Sequence, residues 1–247
     1  MERLKRVIIV GATSGIGREV ALCMLRRGWL LGVAGRREDA LEELRKNYPE
    51  QAVAYPIDVM REDAAERLMH LIRQRGGMDL FFLSSGTGHQ NPSIEEEIEI
   101  RTAETNVTGF IRMVTAAYRY FRTEGGGHIA VISSIAGTKG MGMAAAYSAT
   151  KRFQNTYIDA LAQLSHKQNT RIRFTDIRPG FVDTPLLEGG EYKYPMLMRA
   201  DRVAGVIMRA VDRKKRVVII DWRYRALVFI WRLIPQWLWE RLKIDKL

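Results

Sequence analysis

Tyr147 and Lys151 are the most informative pair of side chains in this sequence of 247 residues. They lie four positions apart, so on a helix their side chains share one face and are direct neighbours. An ammonium group beside a phenol stabilises the phenolate and lowers the tyrosine pKa, which would make Tyr147 an acid or base near neutral pH. Ser134 could donate a hydrogen bond to a substrate carbonyl. Together the three side chains predict chemistry at a carbonyl group.

A glycine-rich segment near the N-terminus predicts a site for a phosphorylated ligand. After the apolar run at 7–10, Gly11, Gly15 and Gly17 follow with G-x-x-x-G-x-G spacing and open a predicted helix. Glycines let the backbone approach a pyrophosphate closely, and the free N–H groups of a helix N-terminus attract negative charge. Glycines alone would also suit an ordinary strand-to-helix turn. Their position directly between a strand and a helix favours nucleotide binding.

The end of the second predicted strand indicates which dinucleotide would bind. An acidic residue at this point receives the adenosine 2′-hydroxyl of NAD, whereas an arginine suits the 2′-phosphate of NADP. The sequence has Gly35, Arg36 and Arg37 there, with no acid at these positions. A guanidinium can bind a phosphate through two parallel hydrogen bonds. We therefore expect NADP(H) as the cofactor, the alternative being that both arginines merely begin the next helix at the surface.

The secondary structure that positions these side chains can be predicted from the pattern of apolar residues. Short apolar runs alternate with segments whose apolar residues recur at helical spacing. Continuous apolar strands separated by helices indicate a parallel sheet covered on both faces. The predicted strands lie at 7–10, 30–34, 52–57, 80–83, 128–133, 171–177 and 216–220. The predicted helices lie near 15–27, 37–47, 61–75, 95–122, 147–167 and 200–213. The sequence therefore predicts an α/β fold: a single doubly wound, Rossmann-type domain over residues 1–221, with a parallel sheet of about seven strands.

Several motifs in this order and spacing resemble the short-chain dehydrogenase/reductase family, over about residues 5–221. Beside the glycine loop and Tyr147–Lys151, they are Asp58-Val59 after the third strand, Asn106 on the long helix, Ser134 thirteen residues before Tyr147, and Arg178-Pro179-Gly180-Phe181-Val182-Asp183-Thr184 after the sixth strand. The resemblance implies an NAD(P)-dependent enzyme that interconverts a ketone and a secondary alcohol, and reduction by NADPH is the leading interpretation. The implied catalytic residues are Asn106, Ser134, Tyr147 and Lys151.

The resemblance also implies a role for each catalytic residue. Tyr147 would protonate the carbonyl oxygen while the nicotinamide delivers hydride to the carbonyl carbon. Lys151 would hold the nicotinamide ribose and tune Tyr147, and Asn106 would steady a water that links Lys151 to solvent. Ser133 is the alternative serine, but the thirteen-residue spacing favours Ser134. The implied cofactor-binding residues are Gly11, Thr13, Ser14, Gly15, Ile16, Gly17, Arg36, Arg37, Asp58, Val59, Ser84, Gly86, Asn106, Tyr147, Lys151, Pro179, Gly180, Val182 and Thr184.

Two departures from the family pattern lie in the cofactor half of the domain. Val10 stands where the family usually has threonine, so a side-chain hydrogen bond is lost there. Leu83-Ser84-Ser85-Gly86 replaces the usual Asn-Asn-Ala-Gly, and Leu83 cannot supply the hydrogen bonds of an asparagine. Neither departure touches the catalytic positions. We therefore expect an active enzyme, with a catalytically idle dinucleotide-binding sensor or scaffold as the alternative.

Two segments would border the substrate: residues 140–146, and the loop from Pro185 to Met198. Flexible thioethers in both segments suit an irregular apolar ligand, but they would equally serve packing against the core or a neighbouring subunit. We expect an apolar or lipid-like ketone, such as a long-chain 3-keto compound, with a small soluble carbonyl compound as the alternative. The candidate substrate residues are Ser134, Met141, Met143, Tyr192 and Met196.

The C-terminal segment 222–247 holds four of the five tryptophans and six Lys/Arg against two acids. Pro235 predicts a helix–break–helix of about 222–233 and 235–243, an amphipathic appendage to the domain. Its longest apolar run, 226–231, is too short to span a bilayer. Indoles mixed with cations suit the surface of an anionic membrane. The alternative is that this tail covers the substrate cleft or a partner subunit.

Composition limits the remaining partners. The net charge is +11, but the cations are scattered along helices without a zinc-finger spacing or an RNA-binding aromatic motif, so we expect no nucleic acid partner. One cysteine excludes an intrachain disulfide, and no secretory signal is apparent. We expect a cytoplasmic enzyme without a metal, with association at the membrane surface left open. The resemblance implies a homodimer or homotetramer built on the helices near 95–122 and 147–167.

Overall fold

Nine strands form two parallel sheets in residues 5–187 and 194–242, which are the residues that this computed structural model describes. The strands are β1 (Arg6–Val10), β2 (Leu30–Gly35), β3 (Ala52–Pro56), β4 (Leu80–Leu83), β5 (Gly127–Ile132), β6 (Ile172–Arg178), β7 (Val182–Asp183), β8 (Met198–Arg199) and β9 (Val217–Ile219). The larger sheet has seven strands in the order β3-β2-β1-β4-β5-β6-β9, and β7 pairs with β8. The predicted seven-stranded parallel sheet is confirmed.

Helices cover both faces of the larger sheet. They are α1 (Gly15–Leu25), α2 (Glu38–Asn47), α3 (Ala64–Arg75), α4 (Glu96–Ala103), α5 (Phe110–Thr123), α6 (Ala145–Lys167), α7 (Ala200–Asp212), α8 (Trp222–Leu233) and α9 (Gln236–Trp239). Alternate residues of β1 enter different cores, because successive side chains of a strand point to opposite faces. Val7 and Ile9 belong to one buried cluster, and Ile8 and Val10 to the other. The predicted doubly wound architecture is confirmed.

The order of the strands reverses direction between β1 and β4. β1 pairs with β2 on one side and with β4 on the other, so that β2 and β3 extend the sheet one way and β4, β5, β6 and β9 the other. The carboxyl ends of the strands leave a crevice at such a reversal, and ligands of doubly wound sheets bind there. The segments that follow β1 and β4 therefore define where a ligand site is expected.

The predicted helix at 95–122 is interrupted, which corrects the sequence-based expectation. A π-helical turn, Glu104–Gly109, separates α4 from α5, and Asn106 lies in this turn. The amide of Asn106 bonds both backbone groups of Thr87, with distances of 2.9 Å to its N–H and 2.7 Å to its carbonyl. π turns are rare and frequently occur at functional sites. Because these bonds join distant segments, helical periodicity alone does not reveal the interruption.

Three further elements differ from the prediction. β7 and β8 have two residues each, too short for any periodic pattern, and were not predicted. α3 begins at Ala64 rather than near 61, because residues 61–63 form a turn in which the Arg61 N–H donates to the Asp58 carbonyl at 3.2 Å.

The C-terminal tail packs on the domain as two helices. The predicted break at Pro235 is confirmed, and α8 has the predicted bounds. One side of the tail enters the same core cluster as Val7 and Ile9, through the buried residues Tyr224, Val228, Trp231 and Trp239. Among the described residues, no helix has the combined length and hydropathy that crossing a bilayer would require. The tail is therefore an integral part of the core as well as a terminal appendage.

Candidate active site

The glycine loop joins β1 to α1 through a tight turn. Gly11 has a φ of +92°, and a side chain there would place its Cβ 2.5 Å from the backbone nitrogen of Ser85. A side chain at Gly17 would collide with the Gly11 carbonyl. The loop therefore lies against the segment that follows β4, at the crevice between β1 and β4. This contact places Gly11, Gly15, Gly17 and Ser84 in one region, as the sequence predicts.

The first turn of α1 suits an anion. Ser14 precedes the helix in an extended conformation, and its side chain caps none of the N–H groups of that turn. The first turn contains no acidic residue. Free N–H groups together with the positive end of the helix dipole favour a phosphate. The loop and the helix start thus fit the pyrophosphate of a dinucleotide, with Thr184 as a neighbour: a Cβ on Gly15 would lie 3.0 Å from its methyl group.

The residues expected at the adenosine end lie after β2 and β3. Arg36 and Arg37 are exposed, and the Arg37 guanidinium donates to the Thr13 hydroxyl at 3.1 Å. Asp58 accepts the N–H of Met60 at 3.0 Å. Val59, which is buried, lies under the π turn. The two arginines therefore stand beside the loop that would hold the phosphates, where a 2′-phosphate is expected.

Tyr147 lies in the first turn of α6 and faces Ser134. Ser134 is its polar neighbour, and a Cβ on Gly88 would lie 2.5 Å from its ring. Burial raises the pKa of Tyr147, and the hydrogen bond from Ser134 opposes that rise only in part. The sequence-based expectation of a lowered pKa is therefore corrected: desolvation disfavours the phenolate more than its neighbours stabilise it. At neutral pH Tyr147 carries its proton.

Lys151 lies behind Tyr147 and is almost fully buried. Its Nζ donates to the Ile132 carbonyl at 3.2 Å and to Oε1 of Gln154 at 3.0 Å. Nζ is 5.6 Å from the centre of the Tyr147 ring. Burial lowers the pKa of Lys151 to about 8, although the carboxylate of Asp176 opposes the shift. Lys151 therefore stays protonated at neutral pH, although its buried environment disfavours the charge.

Asn106 connects the segment after β4 with α6. In addition to its two bonds with Thr87, its side chain donates to the Thr150 hydroxyl at 3.1 Å. Its backbone carbonyl accepts from Nε2 of Gln154 at 2.9 Å. Gln154 therefore joins Asn106 to Lys151 through protein atoms, and the water that Asn106 was expected to steady stays a prediction. The sequence analysis missed Gln154, although its position three residues after Lys151 on one helix face was the available signal.

The two candidate serines have different surroundings. Ser133 donates to the carboxylate of Asp176, which is fully buried and forms an ion pair with Arg178 at 2.6 Å. Ser134 accepts from the Ala136 N–H at 3.1 Å and contacts the hydroxyl of Tyr147. Ser133 thus braces β5 against β6, and Ser134 is the serine that meets the tyrosine.

The methionines expected at the substrate are only partly available to a ligand. Met141 and Met196 pack against the core cluster that contains Val7, and the Met143 carbonyl accepts from the Asn91 N–H at 2.8 Å. A groove of about 700 Å³ separates residues 137–149 from the tail; its lining includes Met141 but neither Tyr147 nor Lys151. The remaining candidate, Tyr192, lies outside the described residues. The substrate assignments remain predictions.

The tail contacts both segments that were expected to border the substrate. The Tyr224 ring packs against Gly180, and its hydroxyl accepts from the Phe181 N–H at 3.1 Å. The same hydroxyl lies 3.0 Å from the Pro195 carbonyl. Further along, Trp239 Nε1 donates to the Gly140 carbonyl at 2.7 Å. These contacts fasten Gly140, the backbone at 180–181 and Pro195 to one support.

Comparisons with known proteins agree with this geometry. The sequence model of the family described as short chain dehydrogenase matches residues 5–193. An uncharacterised oxidoreductase of Myxococcus xanthus is 30% identical over 242 residues, which cover 96% of this chain and 95% of that protein. In fold, the chain is similar to a 3-ketoacyl-(acyl-carrier-protein) reductase of Brucella melitensis complexed with NADH, with a TM-score of 0.78, 23% identity, and coverage of 88% of this chain and 96% of that one. It is also similar to the actinorhodin polyketide ketoreductase with NADPH, with a TM-score of 0.77, 23% identity, and coverage of 88% and 95%.

Proposed function

Since the chain belongs to the short-chain dehydrogenase family, we propose that it reduces a ketone to a secondary alcohol with NADPH, and that the ketone is apolar or lipid-like. The observation that carries the chemistry is the placement of Lys151 Nζ 5.6 Å from the Tyr147 ring, with Ser134 as a neighbour of the tyrosine and the glycine loop at the same end of the sheet. Both solved structures named above are ketone reductases by their names, which agrees with this reaction class.

The side chains divide the reaction between them. A bound nicotinamide supplies hydride to the carbonyl carbon. Ser134 donates a hydrogen bond to the carbonyl oxygen, and Tyr147 transfers its proton to the same oxygen as negative charge develops there. Because burial raises the pKa of Tyr147, the proton stays on the phenol until that charge appears. The Lys151 ammonium then stabilises the phenolate that remains. A protonated tyrosine suits reduction as the working direction.

Turnover of substrates that differ in acyl-chain length tests whether the protein reduces an apolar ketone. NADPH oxidation is followed with a series of methyl ketones and 3-ketoacyl thioesters of increasing acyl length. We expect kcat/KM to rise with chain length. Tyr147→Phe should lower kcat by about 100-fold to 10,000-fold with every substrate, because it removes the proton donor. The matched control is Tyr157→Phe, on the same helix, whose hydroxyl bonds Thr115 at 3.2 Å.

Two results would contradict the proposal. Unchanged turnover in Tyr147→Phe would favour an idle dinucleotide-binding scaffold. Faster turnover of short polar ketones than of long ones would retain the reductase but replace the lipid-like substrate with a small soluble carbonyl compound.

The NADPH preference rests on Arg36 and Arg37. Both are exposed beside the glycine loop, and a cation on this surface favours a 2′-phosphate over a 2′-hydroxyl. The double variant Arg36→Ala/Arg37→Ala should lower kcat/KM for NADPH by about tenfold or more. Its kcat/KM for NADH should stay within about threefold of the wild-type value. Arg26→Ala, at the surface after α1, is the control. An unchanged ratio of NADPH to NADH would remove the arginines from cofactor choice.

A further inference from the structure

The tail displays large apolar side chains on its solvent side. Trp222 is 69% exposed, Leu233 66% and Trp237 60%. Within α8, positions 222, 226, 229, 230 and 233 have the spacing of a single helix face. We call these exposed side chains the apolar stripe; its members are Trp222, Phe229, Ile230, Leu233 and Trp237. Large apolar side chains exposed together in one short segment mark a site of interaction.

The apolar stripe stands on a fixed support. Tyr224, Val228 and Trp231, on the opposite face of α8, are buried in the core, and Lys139 donates to the Ile234 carbonyl at 2.9 Å. Because the inner face is already occupied by the domain, the tail cannot turn its outer face inward without losing core contacts. The stripe is therefore built to meet something outside this chain.

The surroundings of the apolar stripe are cationic. The described tail carries four arginines against Glu240, which already accepts a hydrogen bond from Gln236 at 3.0 Å. The nearest other acid, Asp221, forms an ion pair with Arg223 at 2.7 Å. The groove beside the tail adds two further cations, Lys139 and Arg152, which line it together with Arg232 of the tail. A partner that covers the stripe therefore meets an excess of positive charge.

We propose that the apolar stripe docks the protein on a membrane surface that contains anionic lipid. Tryptophan side chains partition to the headgroup region, and each arginine near an anionic bilayer adds attraction. A second copy of this chain fits less well, because a two-fold contact of stripe with stripe would bring the same arginines face to face. Docking does not depend on the proposed function. If that function holds, the hydrogen bonds of Tyr224 to Pro195 and of Trp239 to Gly140 would keep the segments that border the expected substrate site close to the lipid.

Vesicle sedimentation of the full chain tests the docking. Wild-type protein is mixed with vesicles of phosphatidylcholine alone, or of equal parts phosphatidylcholine and phosphatidylglycerol. We expect partition into the mixed vesicles and little into phosphatidylcholine. Trp222→Ser/Phe229→Ser/Leu233→Ser should lower the partition coefficient by at least about tenfold. Arg232→Gln/Arg241→Gln should lower it by about fivefold per arginine at low salt and weaken its salt dependence.

The controls separate docking from folding, self-association and turnover. Val217→Ser removes an exposed apolar side chain on the edge strand β9, outside the tail and outside the helices expected to form the oligomer, and should leave partition unchanged. Turnover of a soluble ketone should be unchanged in the triple variant, so that loss of docking and loss of the reductase chemistry are distinguishable. The proposal is overturned if wild-type protein stays in solution with the mixed vesicles, if the triple variant sediments equally, or if the triple variant instead lowers the mass in size-exclusion chromatography without affecting vesicles.

The side chain of Gln154 carries a second, independent inference. It is buried, with 1% exposure, and spans from Nζ of Lys151, at 3.0 Å, to the backbone carbonyl of Asn106, at 2.9 Å. An amide can accept from an ammonium and donate to a carbonyl at the same time. Because the Ile132 carbonyl is the other acceptor, two of the three N–H groups of the Lys151 ammonium already donate hydrogen bonds. A Cβ on Gly86 would lie 3.5 Å from Nζ, so the ammonium lies beside Gly86, one of the expected cofactor-binding residues.

We infer that Gln154 is a positioning residue that holds the Lys151 ammonium toward the ligand side. Two variants test this through Lys151. Gln154→Leu removes an acceptor that favours the charged amine, so the pKa of Lys151 should fall. Gln154→Glu adds a carboxylate, so the pKa should rise, each shift being about one unit. The measurement is a 13C titration of lysine Cε in the protein without added cofactor, with the signal assigned by Lys151→Met.

A merely structural role predicts a different pattern. Gln154→Glu keeps the shape of the side chain and its contact with Lys151, so it should fold even if Gln154→Leu does not. Gln163→Leu, exposed on the same helix, is the control and should leave the titration unchanged. Shifts of the same sign in both variants, or no shift in Gln154→Glu, would overturn the assignment. The KM for NADPH should rise by about fivefold in Gln154→Leu if Lys151 is displaced.

Discussion

Tyr147 and Lys151 show opposite consequences of the same burial. Desolvation disfavours the charged form of each group, so it raises the pKa of the phenol and lowers that of the amine to about 8. Both shifts bring the pair closer to neutral forms than in water. Tyr147 therefore keeps the proton that it would donate. The buried ammonium of Lys151, which would later stabilise the phenolate, lowers the stability of the folded state.

The stability cost of Lys151 has a definite pH dependence. Its folded pKa of about 8 lies below the ordinary lysine pKa of 10.5, so the unfolded state binds more protons between these values and stability rises with pH through that window. Lys151→Met lacks this rise. The difference in unfolding free energy between variant and wild type should therefore fall by about 2 kcal/mol between about pH 7 and about pH 9.5.

Urea denaturation at the two pH values measures this difference. Lys167→Met, exposed at the end of the same helix, should show no such change. A difference that stays constant with pH would mean that Lys151 is no harder to charge in the folded state than in the unfolded one.

At the scale of elements, the π turn and α8 bring distant residues together. The π turn between α4 and α5 carries Asn106 to Thr87 and Thr150. α8 carries Tyr224 against Gly180 and to the carbonyl of Pro195. Each element therefore connects parts of the site that the sheet alone would leave independent.

The hydrogen bonds of the Tyr224 hydroxyl can be removed by deleting its single oxygen atom. Tyr224→Phe keeps the ring against Gly180 but leaves the Phe181 N–H without its 3.1 Å partner. An unpartnered buried donor costs about 1–3 kcal/mol of unfolding free energy, which thermal and urea unfolding would detect. Tyr55→Phe, a partly buried ring beside Arg67, is the matched control. Equal stability of Tyr224→Phe and wild type would show that the hydroxyl does not fasten the loop.

At the scale of the whole molecule, the tail belongs to the core and to the surface at once. Its inner side chains share a cluster with β1, while its outer side chains form the apolar stripe. The expectation of a simple amphipathic appendage is therefore incomplete, since α8 is apolar on two faces. For this reason point substitutions on the outer face, rather than removal of the tail, are the appropriate test of membrane docking.

Removal of residues 222–247 should accordingly unfold or severely destabilise the protein. The deletion withdraws Tyr224, Val228, Trp231 and Trp239 from the core. Each large core side chain that is lost costs about 2–5 kcal/mol, so the sum exceeds the stability of an ordinary domain. Circular dichroism and limited proteolysis would show it. A truncated chain with wild-type melting behaviour would mean that the tail is dispensable to the fold.

The sequence by itself determined the sheet, the helices and the neighbourhood of Tyr147 and Lys151. Apolar periodicity and spacing along a helix are local properties, so all seven predicted strands of the larger sheet and the break at Pro235 follow from them. Only the tertiary structure decided that Ser133 bonds Asp176, that Gln154 joins Lys151 to Asn106, and that burial raises the tyrosine pKa. These depend on contacts across as many as 48 positions and on desolvation, which packing of distant segments creates.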